Sequence, residues 1–453
     1  MVDDISGKYL VAVIGAGPAG LFASRLLASN EIHVVLLNRD ILPGGLAEYG
    51  IFFDKYKMKE GLRKQFQQIL ESPDIEYFGN VTVGESGDIR LSELRAIGFQ
   101  ALLVTVGAQG TKWLGLPGEN LTGVYHAKDL VFHYNLLPPF STMDFRIGKR
   151  VALIGAGNVM LDIAHWLIRD LKVDEVVSVV RRGPNEVKFS KEELKIVAQN
   201  LDLSALSSEI ERVRPIANEV GQNVDEAKEY ILSALPKALP PVSKTRFYFD
   251  FLASPSRILG NEQGFVNGLE VEDTTLVCAE GAVQAKRLGT KRVLGVDTVV
   301  FCIGDKVDET FGLPVRHNAF VKNPNPLYPV DELSYETYDP DLNRPINRVF
   351  VAGWSREASS GLVGVARKDA EHGARAVLDY LQTSPRLVDP ANILDELTVR
   401  LDKLDKPIVR KTDLQKLIQA ELTQAERLDL PAYKYATNDE MLAVMGLKKT
   451  VSG

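Results

Sequence analysis

Tyr9-Leu10-Val11-Ala12-Val13-Ile14-Gly15-Ala16-Gly17-Pro18-Ala19-Gly20 is an apolar run closed by a glycine fingerprint, and a helical pattern follows from Leu21 to Leu27. The same order returns a domain's length later in Val151-Ala152-Leu153-Ile154-Gly155-Ala156-Gly157-Asn158-Val159-Met160, ahead of a helical pattern from Leu161 to Leu171. Strand, turn and helix are thus predicted twice. In such a turn the first two glycines permit the tight bend and let bare backbone approach a pyrophosphate, whose charge the helix N-terminus stabilises. Two copies in strand-to-helix context predict two bound dinucleotides, and a chain that holds two passes electrons between them.

Working outward, continuous Val- and Ile-rich runs recur at Val34 to Leu37, Ala101 to Val106, Val176 to Val180, Val299 to Ile303 and Val349 to Ala352. Continuous rather than alternating runs suit parallel strands buried on both faces. With helical stretches between them, the chain reads as α/β, with two doubly wound Rossmann-like domains. Val104-Thr105-Val106-Gly107-Ala108 and Val300-Phe301-Cys302-Ile303-Gly304-Asp305 both look like strands ending in tight turns, and they are natural crossing points. The second fingerprint therefore falls in a domain at 109–304, inserted into a discontinuous domain made of 1–108 and 305–453. Residues 190–245 read as helical and polar, and 385–453 as a helical C-terminal extension of amphipathic helices.

The 453 residues carry a formal net charge of −7, which argues against general nucleic-acid affinity. No apolar run approaches a membrane span, and Met1-Val2-Asp3-Asp4 lacks the basic start of a secretory signal, so a cytoplasmic protein is expected. The two cysteines, Cys278 and Cys302, form no Cys-x-x-Cys pair, which leaves a dithiol relay without residues and an iron–sulfur cluster without its roughly four ligands. Six histidines with no i, i+4 pair give no metal site.

In a dinucleotide fold the residue closing the second strand faces the ribose, where an acid suits a 2′-hydroxyl and arginine a 2′-phosphate. Val176 to Val180 ends in Arg181-Arg182-Gly183, and two guanidinium groups there point to NADP. The first copy instead ends in Asn38-Arg39; Asn38 can bond a ribose hydroxyl, without charge assistance.

These residues, with others spread over nearly the whole chain, resemble the adrenodoxin reductase type of ferredoxin-NADP reductase, within the glutathione-reductase-like flavoproteins. The likeness includes Leu42-Pro43-Gly44-Gly45-Leu46, Tyr49-Gly50-Ile51, Thr105-Val106-Gly107-Ala108, Leu116-Pro117-Gly118, Gly157-Asn158-Val159 with Asp162, and Arg181-Arg182-Gly183-Pro184. It continues through Phe189, Glu193-Leu194, Phe251-Leu252, Ser254-Pro255, Gly353-Trp354, Gly361-Leu362-Val363 and Glu440-Met441-Leu442. The resemblance implies FAD at the first site, held by Gly15, Gly17, Pro18, Ala19, Gly20, Asn38, Arg39, Gly45, Leu46, Gly50 and Gly107. It implies NADP in the inserted domain, held by Gly155, Gly157, Asn158, Val159, Arg181 and Arg182, with Glu193 positioning the nicotinamide half. Gly353, Trp354, Gly361, Leu362 and Val363 would lie against the flavin ring, and a helix starting near Val363 would aim its positive end at the flavin edge where negative charge gathers on reduction. Asp162 and Trp354 are the expected catalytic residues, Asp162 as a partner of ordered water near the flavin. Two departures from the family pattern stand where substrate and partner approach. Phe52-Phe53-Asp54-Lys55 replaces Ala-Pro-Asp-His, and Arg356-Glu357-Ala358-Ser359 follows the tryptophan in place of a more basic stretch.

The expected activity is hydride exchange between NADP(H) and FAD, followed by single-electron transfer to a ferredoxin-like iron–sulfur protein. Such a partner usually calls for a basic face, yet residues 205–235 carry six acids (Glu209, Glu211, Glu219, Asp225, Glu226, Glu229) against Arg212, Arg214 and Lys228. The groups Lys286, Arg287, Lys291 and Arg292, or Arg400, Lys403, Arg410 and Lys411, make a patch only in three dimensions, and each alone reads as solvated surface. The rival reading is the flavin and NADPH electron-input subunit of a larger redox complex with a different acceptor. A redox-silent dinucleotide-binding protein ranks lower, since both phosphate turns and the Gly353-Trp354 segment are intact, and a flavin monooxygenase, which shares two fingerprints, is outweighed by the full-length likeness to the reductases.

Overall fold

A computed structural model describes residues 8–279, 281–358, 363–386 and 389–448. The chain forms two compact units: Met1–Thr111, Phe132–Thr142 and Gly304–Gly453 make the first, and Lys112–Val131 with Met143–Ile303 the second. The sequence reading takes 109–304 as one uninterrupted insertion, whereas Phe132–Thr142 returns to the first unit. Phe132 and Leu137 are buried in that unit's core, and Phe132 packs on Phe140 with ring centroids 5.2 Å apart. A short segment held by isolated apolar residues has no periodicity to announce it.

The first unit is built on a six-stranded sheet in the order Glu336–Asp339, Arg344–Val351, Ala101–Val104, Tyr9–Ile14, Ile32–Leu37, Ile75–Phe78. Every neighbouring pair is parallel except the outer Glu336–Asp339 with Arg344–Val351. Strand pleating sends Val11, Val13, Val34 and Leu36 into one apolar core, and Leu10, Ala12, Ile14, Val35 and Leu37 into another on the opposite face. This is why the runs read as continuous. The C-terminal extension completes both cores. Leu394, Leu397 and Leu401 of helix Pro390–Asp402 cover one face, while Leu414 and Leu417 of helix Lys411–Arg427, with Met441 and Leu442 of helix Asn438–Val444, cover the other.

The second unit has a five-stranded parallel sheet, Val124–His126, Thr298–Phe301, Arg150–Ile154, Glu175–Val180, Arg246–Phe251. The polar helical stretch is realised mainly as helices Leu203–Glu219 and Val224–Leu232. A separate antiparallel sheet of Ala253–Gly260, Val266–Ala279 and Ala282–Leu294 is absent from the sequence reading. Its outer strand is mostly exposed and highly charged, so it lacks the apolar run that reveals the parallel strands. Among the described residues no helix is long and apolar enough to cross a membrane.

Candidate functional site

In the first unit the strand Tyr9–Ile14 ends at Gly15 with φ +104°, a conformation that L side chains rarely adopt, and a Cβ there would meet Thr105 O at 2.7 Å. Thr105 Oγ donates to Gly15 O at 2.8 Å, joining the first turn to the one after Ala101–Val104. At Gly20 a Cβ would fall 1.8 Å from Gly15 O, so only glycine lets helix Pro18–Ala28 come this close to the strand. Gly17 is different. It caps that helix, no acid occupies the first turn, and a Cβ there would have nothing within 4 Å. Open space ahead of unopposed N-terminal amides is what a pyrophosphate requires.

Other predicted positions converge on this turn. Gly44 N donates to Ala16 O (2.7 Å), and a Cβ on Gly45 would lie 3.0 Å from Gly17 Cα. Gly50 closes the short helix Leu46–Tyr49 by donating to Leu46 O at 2.8 Å. A Cβ on Gly353, at φ +66°, would meet Ala19 Cβ at 2.6 Å, and Gly107 N donates to Ser355 Oγ at 2.9 Å. Trp354 is half-buried on the turn Gly353–Ser355, and Val363 begins the helix Val363–Gln382, which packs against Pro18–Ala28. Gly361 and Leu362, like Ser359, lie outside the described residues.

Two predicted residues have partners within the protein. Asn38 is buried, its Oδ1 accepts from Ala16 N (3.1 Å), and its Nδ2 donates to Asp40 O (2.8 Å) and Leu42 O (3.1 Å). Its amide organises the turn and has its donors committed. Arg39 bonds Asp40 Oδ1 (3.0 Å) and Gln109 Oε1 (3.2 Å) through its guanidinium. At the departure from the family pattern, buried Phe52 stacks on exposed Phe53, centroids 4.6 Å apart, and meets Tyr134 at a tilt of 50°, centroids 5.1 Å apart.

The turn bearing Trp354 is held by a residue that the sequence reading missed. Asp369, on the helix Val363–Gln382, accepts from Gly353 N (2.6 Å), Arg356 Nε (2.8 Å) and Tyr335 OH (3.2 Å). Beneath the Gly44–Gly50 segment lies a buried charge cluster, also missed. Arg63 Nε donates to Glu48 Oε2 (2.7 Å), Lys434 pairs with Glu48, and Lys59 donates to Asn135 Oδ1 (2.7 Å). Burial alone would raise the Glu48 carboxyl, but Lys434, Arg63 and Lys59 outweigh it and hold the group well below the usual range. Burial, reinforced by Lys434, pulls the Lys59 ammonium down to about 7, and burial pushes the Glu421 carboxyl up to about 7 against Arg63 and Lys434. Scattered single charges gave no motif by which to find this cluster.

The second unit repeats the cradle. Gly155 has φ +129° and a Cβ there would meet Cys302 O at 2.6 Å, whereas Gly157, capping helix Asn158–His165, again has nothing within 4 Å and no acid in the first turn. Val159 is exposed at the helix start, and the position of the third glycine is taken by buried Met160. Asn158 Oδ1 accepts from Ser190 N (2.7 Å) and so fixes the loop that leads to Glu193, whose own N donates to Ser190 Oγ (3.3 Å). Arg181 and Arg182 do follow the strand Glu175–Val180, but they diverge. Arg181 is exposed, while Arg182 Nε lies 2.9 Å from Glu186 Oε2, on a carboxylate that also accepts from Gln222 (2.7 Å). Asp162 lies on the same helix as Asn158. Burial, and secondarily the Asp162 charge, push the Cys302 thiol far up, which keeps it neutral and unreactive.

The basic groups considered for partner docking are largely engaged. Arg287 pairs with Glu272 (3.4 Å), Lys291 with Glu270 (2.9 Å), Arg292 with Asp250 (2.6 Å) and Arg400 with Glu396 (2.7 Å). In the acidic stretch, Arg212 pairs with Glu209, and Arg214 with Glu211 and Asp225.

Residues 9–203 match the family described as pyridine nucleotide-disulphide oxidoreductase. The chain is 30% identical over 409 residues to the NADPH-ferredoxin reductase FprA of Mycobacterium leprae, covering 82% of this chain and 84% of that protein. It is 27% identical over 407 residues to the mitochondrial NADPH:adrenodoxin oxidoreductase of Arabidopsis thaliana, covering 82% of each. Among solved structures, Mycobacterium tuberculosis FprA in complex with NADPH superposes with a TM-score of 0.78 at 26% identity, over 97% of this chain and 99% of that one. With two glycine cradles of one design in place, this likeness along most of its length means that the chain belongs to the FprA and adrenodoxin reductase family of oxidoreductases.

Proposed function

We propose that this protein is an NADPH-dependent flavoprotein that binds FAD in the first unit and NADP(H) in the second, exchanges a hydride between them, and passes single electrons to a ferredoxin-like iron–sulfur protein. The observation that carries this reading is the doubled cradle. Gly17 and Gly157 each cap a helix with open space ahead and no acid in the first turn, each after a parallel strand of its own sheet.

Bound FAD supplies the redox chemistry, because it takes electrons in pairs and releases them singly. The protein's own residues place and hold. Gly45 and Gly353 bring bare backbone to the first cradle, and Asp369 fixes the Trp354 turn. In the second cradle Asn158 braces the loop toward Glu193, and Arg181 presents an exposed guanidinium at the strand end where a 2′-phosphate belongs. Asp162, on the helix that opens the second cradle, is proposed to bond ordered water. A cytoplasmic location is part of the proposal and accords with two free thiols, the usual state in a reducing compartment.

Anaerobic titration of the purified protein with NADPH, and separately NADH, tests this directly through the visible flavin spectrum. Bleaching by NADPH in preference to NADH, reversed by a cluster-containing ferredoxin, is the expected result. A flavin untouched by either coenzyme overturns the proposal. Bleaching that ferredoxin does not reverse overturns the acceptor and turns attention to an electron-input subunit of a larger complex.

A further inference from the structure

The second cradle contains a cation for which neither the fingerprint nor the arginine pair accounts. After the short turn Pro184–Glu186 the chain crosses back over the glycine turn, where Lys188 N donates to Ala156 O at 2.8 Å. The first cradle has the same bridge, formed there by Gly44 N to Ala16 O at 2.7 Å. One backbone hydrogen bond thus places one residue beside the middle of each fingerprint. In the first cradle it is a glycine without a side chain; in the second it is a lysine.

The bridge is fixed on both sides of Lys188. Phe189 is buried, its ring stacks on Phe249 with centroids 5.8 Å apart, and its carbonyl accepts from Tyr230 OH (2.9 Å). Ser190 N is held by Asn158 Oδ1. The Lys188 side chain is exposed and has no ion-pair partner among the described residues. The backbone that carries this unpaired ammonium is therefore anchored next to a helix N-terminus that is itself positive and has no acid in its first turn. Two adjacent positive features repel each other until an anion lies between them. Arg182, meanwhile, is drawn to Glu186, so Arg181 and Lys188 are the cations left to meet the dinucleotide's phosphates.

We propose that Lys188 binds the pyrophosphate of the dinucleotide in the second unit, while Arg181 takes the 2′-phosphate. This rests on the reading of that unit as the NADP site. The division follows from position, since Lys188 is tied to the fingerprint turn and Arg181 stands at the end of the strand Glu175–Val180.

The test is calorimetric titration of the FAD-loaded protein with NADP+, with ADP-ribose, which lacks the 2′-phosphate, and with 2′-AMP, which lacks the pyrophosphate. Lys188→Ala should weaken NADP+ and ADP-ribose about 10-fold, the worth of one charge-assisted contact, and leave 2′-AMP unchanged. Lys188→Arg should restore most of the loss, and Arg181→Ala should weaken NADP+ and 2′-AMP while sparing ADP-ribose. Since Lys188 is exposed, thermal midpoint and flavin content should match wild type, which separates a binding defect from a folding one. Unchanged affinities in Lys188→Ala, or a loss shared by 2′-AMP, overturn the assignment. If the wild-type protein binds none of the three ligands, the parent reading of the second unit fails as well.

Discussion

At the residue scale, the two glycines at the helix start of the first cradle carry separate burdens. Gly20 is required by packing, because a Cβ would sit 1.8 Å from Gly15 O, well inside contact distance. Gly17 is required only by a ligand, since a Cβ there meets nothing within 4 Å and its φ of −73° suits any residue. Gly20→Ala should therefore lower stability by about 1–3 kcal/mol, as overpacking does, and release flavin with it. Gly17→Ala should keep the thermal midpoint within a few degrees and still lower the flavin-to-protein absorbance ratio. If both variants lose stability equally, Gly17 is part of the packing and not of a phosphate site. Asn38 teaches the converse. Its place in the sequence is that of a ribose ligand, but its side chain is occupied in shaping the backbone from Ala16 to Leu42.

At the element scale, the turn Gly353–Ser355 closes on itself, Gly353 O accepting from Arg356 N (2.9 Å) and Glu357 N (3.1 Å), and is tied to the helix Val363–Gln382. One carboxylate, that of Asp369, collects an amide of the turn, the Arg356 guanidinium and the Tyr335 hydroxyl. Burial alone would lower the Arg356 guanidinium, yet Asp369 raises it, which marks the pair as mutually stabilising. Asp369→Asn leaves a single acceptor oxygen and a buried arginine without its nearer counter-charge, with only the exposed Glu357 at 3.5 Å remaining. The expected cost is about 2–4 kcal/mol in denaturant unfolding, with a flavin midpoint potential shifted upward because the uncompensated Arg356 favours the more negative reduced state. Asp379→Asn, exposed on the same helix, should change neither. A potential unmoved in Asp369→Asn would mean that the turn does not report to the flavin. The C-terminal helices show the same dependence, since their apolar stripes are spent on the two faces of the first sheet.

At the scale of the whole molecule, the first unit fastens distant segments together with charge. Glu48, Lys59, Arg63, Glu421 and Lys434 come from four places in the sequence, and Asn135 of the returning segment takes both lysines, through Lys59 (2.7 Å) and Lys434 (3.2 Å). Glu421 is pushed up to about 7 in the folded protein, above the value near 4.5 of a free carboxyl. The folded state therefore binds more protons between about pH 4.5 and 7, and this group's contribution to stability is whole below that window and lost as pH rises through it. Glu421→Gln, which stays neutral, should gain on wild type by about 3 kcal/mol between pH 4.5 and pH 8, read from urea unfolding at several pH values. A difference independent of pH would show that Glu421 is ionised throughout.

The sequence by itself determined the central parallel strands of both sheets, both glycine turns and the arginine pair, because each rests on neighbours in the chain: a strand, a tight bend and a helix start within about a dozen residues. Tertiary structure decided the rest. It put Lys188 over the second turn, returned Phe132–Thr142 to the first unit, and set Asp369 under Gly353. Each of these depends on which partner a residue meets after the chain has folded. Charges and hydrogen bonds between distant positions leave no period or spacing in the sequence, whereas a backbone that must bend around a phosphate writes its requirement in glycine.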